Sequence, residues 1–365
     1  MSLLHLDVAK CVHTSNKFAI CDACVSSCPV DTIEINNSQL SFVPNDCVSC
    51  GACVGACPTA AYSVDGFNAI DYVFYLLENS ISTISCKEGI PCVAALNSEE
   101  LLALALLQKS NISIDLSGCE SCDVAANNLK QIHALIEDTN FLLQAQERQF
   151  SVNVLEEYDA PKQTCSALSR RELLSKNVLQ RAGTTIREFE QEVAARDEER
   201  IAHAVDKATI AQLKLKQIPK RRSLLMMALK RTTAPNTLHT LPAEEVSFIS
   251  EKRIEKESCT SCQMCYRICP TGALSSDARN SVINFSATAC VKCHSCHDVC
   301  EPNAITIKES FSLKQLYAPA LENLVTFEIK RCDECGNLFP YHGGEQICSR
   351  CQTEEDEAKA LWGIS

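Results

Sequence analysis

Sixteen cysteines fall in four short runs whose spacing lets several sulfurs converge on one centre. Cys47-Val-Ser-Cys50-Gly-Ala-Cys53-Val-Gly-Ala-Cys57-Pro58 reads C-x2-C-x2-C-x3-C-P, and the same run recurs at Cys259, Cys262, Cys265, Cys269 and Pro270. Each run has a mate. Cys290, Cys293, Cys296 and Cys300 keep the spacing but place Glu301 next and Pro302 one position late, whereas Cys11, Cys21, Cys24, Cys28 and Pro29 stretch the first gap from two residues to nine. The chemistry of such spacing is metal–sulfur chemistry. One tight loop presents three thiolates to three irons of an iron–sulfur cube, and the fourth cysteine, opening the next turn, points towards a partner cube. Gly51, Ala52, Gly55 and Ala56 are small enough for backbone N–H groups to approach the sulfides. Disulfides need no such local bunching, and a chain of 365 residues with 25 cysteines is too long to be a small disulfide-stapled scaffold. The thiols therefore read as ligands kept reduced in a cytosol-like compartment.

Both modules, residues 1–66 and 250–312, resemble two-cluster bacterial ferredoxins, and the whole chain resembles a polyferredoxin-type subunit of a redox complex. The resemblance implies crossed ligation of four [4Fe–4S] clusters. Cys47, Cys50 and Cys53 with Cys28 would hold one; Cys11, Cys21 and Cys24 with Cys57 a second. Cys259, Cys262 and Cys265 with Cys300 would hold a third, and Cys290, Cys293 and Cys296 with Cys269 the fourth. His294 and His297 lie inside the last run, but all four of its cysteines are present, so the histidines read as neighbours that tune a potential and not as ligands.

Two further cysteine groups remain. Cys332-x2-Cys335 and Cys348-x2-Cys351, twelve residues apart, can close four sulfurs tetrahedrally around one ion and resemble a zinc ribbon, with rubredoxin-like iron as the alternative. Cys86, Cys92, Cys119 and Cys122 could share an additional metal or cluster, or be structural. Their layout is similar to the delta subunit of methyl-viologen-reducing hydrogenases, which implies an iron–sulfur centre relaying electrons to a partner. Cys165 is left over.

The elements that must position these groups divide the chain into five. Between the modules lie an α/β segment (67–160) and a basic helical linker (161–249), and a zinc-ribbon-like tail spans 325–355. The fold class expected is α+β and multidomain. In the α/β segment, Ile81–Ser85 and Ile112–Leu116 read as strands, with a helix over Glu99–Gln108 capped by Ser98 between them. That order favours a parallel pair, and both cysteine groups of the segment begin where a strand ends. From Lys162 to Arg231 there are 16 Lys/Arg against 8 Asp/Glu. This stretch reads as a solvated linker wrapping its own acidic modules, the alternative being a docking arm for another acidic subunit. Its most basic part, Lys214 to Arg222, has no interleaved aromatics, and with a net charge of −12 no nucleic-acid partner is expected.

The N-terminus lacks a basic start and apolar run, and Ser169-Arg170-Arg171-Glu172-Leu173-Leu174 is misplaced for a twin-arginine signal. Leu101–Leu107 is too short to span a bilayer, so no membrane insertion and a cytoplasmic location are expected. Neither G-x-G-x-x-G nor G-x-x-x-x-G-K-[ST] occurs. The expected function is non-catalytic: an iron–sulfur protein relaying electrons through four clusters, as a subunit or partner of a formate dehydrogenase- or hydrogenase-linked complex. The alternative is a reductase using Cys86, Cys92, Cys119 and Cys122 for thiol or sulfur chemistry; a third reading is a non-catalytic assembly protein.

Overall fold

The computed structural model describes residues 4–155, 201–202 and 207–363. Each cysteine-rich module is a frame of very short strands. In the first, Leu4–Leu6 pairs antiparallel with Tyr62–Val64, and the hairpin of Ile33–Asn36 and Gln39–Phe42 lies between the two cysteine runs. The second repeats the plan, pairing Lys252–Ile254 with Ile305–Ile307 and Leu274–Ser275 with Val282–Ser286. Pairing the first strand with the last folds each module back on itself, so its two runs lie together. The helical parts, such as Ala23–Ser26, Ala52–Ala56 and Ser295–Asp298, are single turns. No isolated helix of that length is stable in water. Tertiary packing holds them, in the first module around Leu4, Ile33, Leu40, Phe42, Tyr62 and Val64.

The second module extends past the expected 250–312. Thr240–Pro242 pairs with Ser310–Ser312, and Leu321–Thr326 joins Val282–Ser286 as a third strand. The hairpin of Glu328–Arg331 and Leu338–Tyr341 and the helix Ser349–Trp362 form the tail.

The central segment is a parallel sheet in the order Thr83–Ser85, Ile112–Asp115, Val152–Leu155. The first two are the strands expected from sequence, trimmed by one or two residues. The helix between them is Ser98–Gln108, and its cap is Asn97, not Ser98. The Asn97 side chain accepts from the Glu99 N–H, and Glu100 reaches back to accept from the Asn97 N–H at 2.8 Å. This reciprocal pair satisfies donors that a buried helix start would otherwise leave open. Leu101, Leu102, Ala103, Leu104, Ala105 and Leu106 are all buried. A helix apolar on every side must be enclosed on every side. Helices Ala69–Glu78, Ala125–Ala145 and Lys220–Lys230 pack against it.

That last helix corrects the reading of a solvated linker. Arg221, Arg222, Leu224, Leu225, Ala228 and Leu229 are buried in it. Arg222 forms an ion pair with Glu99 at 2.6 Å and donates to the carbonyls of Thr288 (2.7 Å), Cys290 (2.8 Å) and Phe248 (2.7 Å). Arg221 donates to the carbonyls of Cys57 and, at 2.8 Å, of Pro58. The most basic part of the stretch is thus partly spent inside the molecule, where only paired charges are tolerable. The α/β segment and the second module share one continuous core, running from Ala69 through Leu225 to Phe327. The rest of the expected linker up to residue 200, with Cys165 and the Ser169–Leu174 motif, lies outside the described residues. Among the described residues no helix is long and apolar enough to cross a membrane.

Two stability measurements follow. Glu99→Ala leaves Arg222 buried without its counter-ion, and should destabilise the protein by about 3–5 kcal/mol in denaturant titration; a change under about 1 kcal/mol would show that the pair is not structural. Burial pushes the Glu100 carboxyl up from 4.5 to about 7, against the pull of Arg221 and the Asn97 N–H. The folded state therefore holds this proton more tightly than the unfolded state, so stability should fall as pH rises from about 4.5 to about 7, by on the order of 3 kcal/mol, and level off above. Glu100→Gln should flatten that slope; an unchanged profile would assign it to other groups.

Candidate metal centres

The cysteine loops share an unusual backbone. Left-handed residues recur on both sides of the second cysteine in three of the four runs: Ser49 and Gly51, Ser261 and Gln263, Lys292 and His294. A loop curled in this way turns N–H groups inward and forms a concavity suited to an anion. The run with the nine-residue gap lacks the feature, with no positive φ between Cys11 and Cys28.

Electrostatic neighbourhood sorts the sixteen thiols into four groups. Cys11, Cys21, Cys24 and Cys57 act on one another. Cys28, Cys47, Cys50 and Cys53 form a second group, Cys259, Cys262, Cys265 and Cys300 a third, and Cys269, Cys290, Cys293 and Cys296 a fourth. Each group takes three sulfurs from one run and one from its mate. Burial first, then neighbouring thiols, push Cys11 up to about 11 and Cys24, Cys265 and Cys296 up to about 12. As bare thiols they would stay protonated at neutral pH, and a positively charged metal is what makes thiolates of them. Hydroxyls stand ready to donate to the sulfurs: Thr32 at 3.4 Å from Cys28, Thr59 at 3.5 Å from Cys57, Ser250 at 3.5 Å from Cys290. All-sulfur donor sets in small, largely apolar pockets, with a hydroxyl beside some of the sulfurs, fit iron–sulfur clusters.

Residues 17–61 match the family model of a 4Fe-4S dicluster domain, and residues 258–305 match another model of the same description. The chain carries two 4Fe-4S dicluster domains. The first match begins after Cys11, at the loop that departs from the regular spacing. No curated protein matches the chain.

The stretched loop has a structural use in these dicluster domains. Asn16, buried within it, donates to both the carbonyl and the Oγ of Ser295 at 3.1 Å, and the Ile20 N–H donates to Asp298 at 3.1 Å. The extra residues thus clasp the second domain beside its Cys293–Cys296 loop. Gly55 also has a use other than the one expected. A Cβ there would come within 2.2 Å of the Ala94 carbonyl and 2.4 Å of the Leu96 carbonyl. It lets the central segment lie directly on the first domain's Cys53–Cys57 turn.

The four central cysteines gather at the end of the parallel sheet. Cys86 follows the strand Thr83–Ser85, and Cys119 and Cys122 follow Ile112–Asp115. Cys119 interacts with Cys86 and Cys122, and Cys92 with Cys119 on one side and Cys50 of the first domain on the other. Asn128, at the start of the long helix, donates to Cys92 at 3.5 Å. Beneath them Asp115 is held as a carboxylate: burial alone would raise its pKa, but hydrogen bonds from Ser117 and Ser85 and the Lys87 ammonium lower it.

In the tail, Cys332 and Cys335 sit in the hairpin turn, as the zinc-ribbon resemblance implies. The second pair lies outside the hairpin, because Cys348 opens the helix Ser349–Trp362. Among the described residues, Cys332, Cys335, Cys348 and Cys351 are the one group whose ligand atoms all lie within 4.8 Å of one another, so they could hold a single metal ion. N–H groups of Cys335, Cys348 and Glu334 hold the Cys332 thiol below its ordinary value. A strong chelator should remove this ion and make the 328–362 tail protease-sensitive while leaving the cluster absorbance intact; simultaneous loss of both would show the tail to be tied to the domains.

Sequence reasoning missed Asn16, Arg221, Arg222 and Lys252, whose Nζ lies 2.7 Å from His297 Nε2. Only for Lys252 was a signal available. Superposing the two domains on their cysteines sets it against Leu4, a lysine on an inward strand position.

Proposed function

We propose that the protein is an electron-transfer protein relaying electrons through four [4Fe–4S] clusters, ligated in the crossed sets given above. The observation that supports this most directly is the three-plus-one grouping of sixteen thiols, since only a pair of shared cubes asks each run to give its last cysteine away. The clusters supply one-electron redox chemistry when bound. Contacts between the cysteine groups support one order. Cys92 neighbours Cys50, Cys53 neighbours Cys24, the Asn16 and Ile20 clasp joins the Cys21 loop to the Cys293–Cys296 loop, and Cys265 neighbours Cys296. This is single file, from the central cysteines through both domains. Cys86 and Cys122 are exposed at one end and Cys262 at the other, giving the file two ports.

The central four cysteines are read as a fifth centre at the entry port and the tail as a zinc clip. The polyferredoxin-type resemblance supports a cytoplasmic redox-enzyme partner of the formate dehydrogenase or hydrogenase type. The exposure of Cys86 and Cys122 is also what a thiol-reducing site would need, which keeps the reductase reading as the alternative outcome.

Anaerobically prepared full-length protein should contain about sixteen iron atoms from the two domains, further iron from the central centre and about one zinc, with EPR signals of reduced [4Fe–4S] clusters. Eight iron atoms or fewer in fully loaded protein would overturn the relay. A titratable dithiol at Cys86 and Cys122 with no fifth centre would transfer support to the reductase.

A further inference from the structure

The strand Lys252–Ile254 alternates inward, outward, inward: Lys252 is 1% exposed and Ile254 8%, while Arg253 faces solvent. Its two inward side chains reach two different cavities. Ile254 lines the one bounded by Cys259, Cys262, Cys265 and Cys300, which has no charged side chain in its wall. Lys252 lines the one bounded by Cys269, Cys290, Cys293 and Cys296. In the first domain the equivalent strand puts Leu4 at this place: Leu4 faces Val64 across its pair as Lys252 faces Ile307, each seven residues after the last cysteine. A lysine in a leucine's place leaves an ammonium in the interior, where it would be excluded unless something balanced it. Its hydrogen bond goes to His297 Nε2 at 2.7 Å. An ammonium has donors only, so the imidazole accepts and supplies no counter-charge.

We propose that Lys252 is a positioning residue for charge: it makes the Cys269/Cys290/Cys293/Cys296 centre the most readily reduced of the four, an electron well one place from the far end of the file. This rests on the relay reading. Reduction adds one electron, and so one negative charge, to that centre, and the neighbouring centre that gives the electron is oxidised by the same amount. No proton or bond need change. A buried cation favours the added charge far more than one in water would, because little solvent screens it. A second cation lies nearby: Lys292 is close enough to interact with Cys290, whereas the charge of Arg222, which bonds the Cys290 carbonyl at 2.8 Å, is balanced by Glu99. The neighbouring Cys21 instead faces Asp22, while Asp298, two residues from Cys296, acts on both Cys21 and His294 and favours neither centre. An electron passing from the Cys21 side therefore moves downhill into the second domain.

The test is a potentiometric titration of the anaerobic full-length protein followed by EPR, with iron content measured on every sample. Lys252→Met keeps the length and removes the charge. It should lower the reduction equilibrium constant of one cluster at least tenfold, about 59 mV for one electron, and leave the other three in place, while Lys252→Arg should retain the original value. Unchanged potentials in the methionine variant would overturn the proposal. If that variant loses iron, a ligand variant decides the matter: Cys293→Ser, which alters a ligand of this centre, should change the EPR signal that is reduced first in the wild-type protein. A first-reduced signal unaffected by Cys293→Ser would overturn the proposal as well. Wild-type protein with eight irons or fewer would refute the relay itself, whereas four clusters with no effect of Lys252 would refute this inference alone.

Discussion

The architecture turns on the buried pair of Arg222 and Glu99. Both side chains are almost wholly removed from water, at 1% and 2% exposure. Such a pair is tolerable only when the remaining donors are also used, and Arg222 uses its own on three carbonyls of the second domain's surroundings. Arg221, one residue earlier, turns to the first domain's Cys57 and Pro58. Two consecutive arginines thus tie a central helix, one ferredoxin-type domain and the other into one body. A relay needs that rigidity, because the fixed quantity in electron transfer through protein is the separation of the centres.

The two domains share a plan and differ in what they pack against. The first meets the central segment through Gly55, where nothing larger than hydrogen fits, and meets the second through a loop lengthened by seven residues. The second shares its core with the α/β segment and takes Lys252 inside. Duplication of the cysteine pattern therefore does not make the centres equivalent. Their surroundings differ, with no charged side chain around Cys259 and Cys262 and Lys252 beside Cys290 and Cys296, and this difference is the basis of the proposed separation in energy.

Much of the local structure could be read from residues alone. The parallel pair at Thr83–Ser85 and Ile112–Asp115 followed from two β-branched runs around a leucine-rich helix, and the cysteine groups of that segment do sit at strand ends. The cap was assigned one residue late, because Ser98 and Asn97 are both good caps and only the partner at Glu100 decides between them. The Lys220–Lys230 part of the basic stretch departs from the solvated reading for a different reason. Lys220–Lys230 has charge and leucine in proportions that also suit a solvated helix, and nothing in its own sequence reveals that Glu99, 123 residues away, awaits Arg222.

What the sequence by itself determined is the chemistry: sixteen cysteines at spacings that local loops can curl around a cube, and four more that close on a single ion. These are short-range facts, fixed by backbone geometry over a dozen residues. What only the tertiary structure decided is which loops meet and what surrounds each cysteine group. Which loop clasps the other domain depends on a contact 279 residues apart in the chain, and which cavity receives Lys252 on the packing of a strand against loops tens of residues away. Such contacts leave no periodic trace in the chain, because burial and pairing are properties of the packed whole.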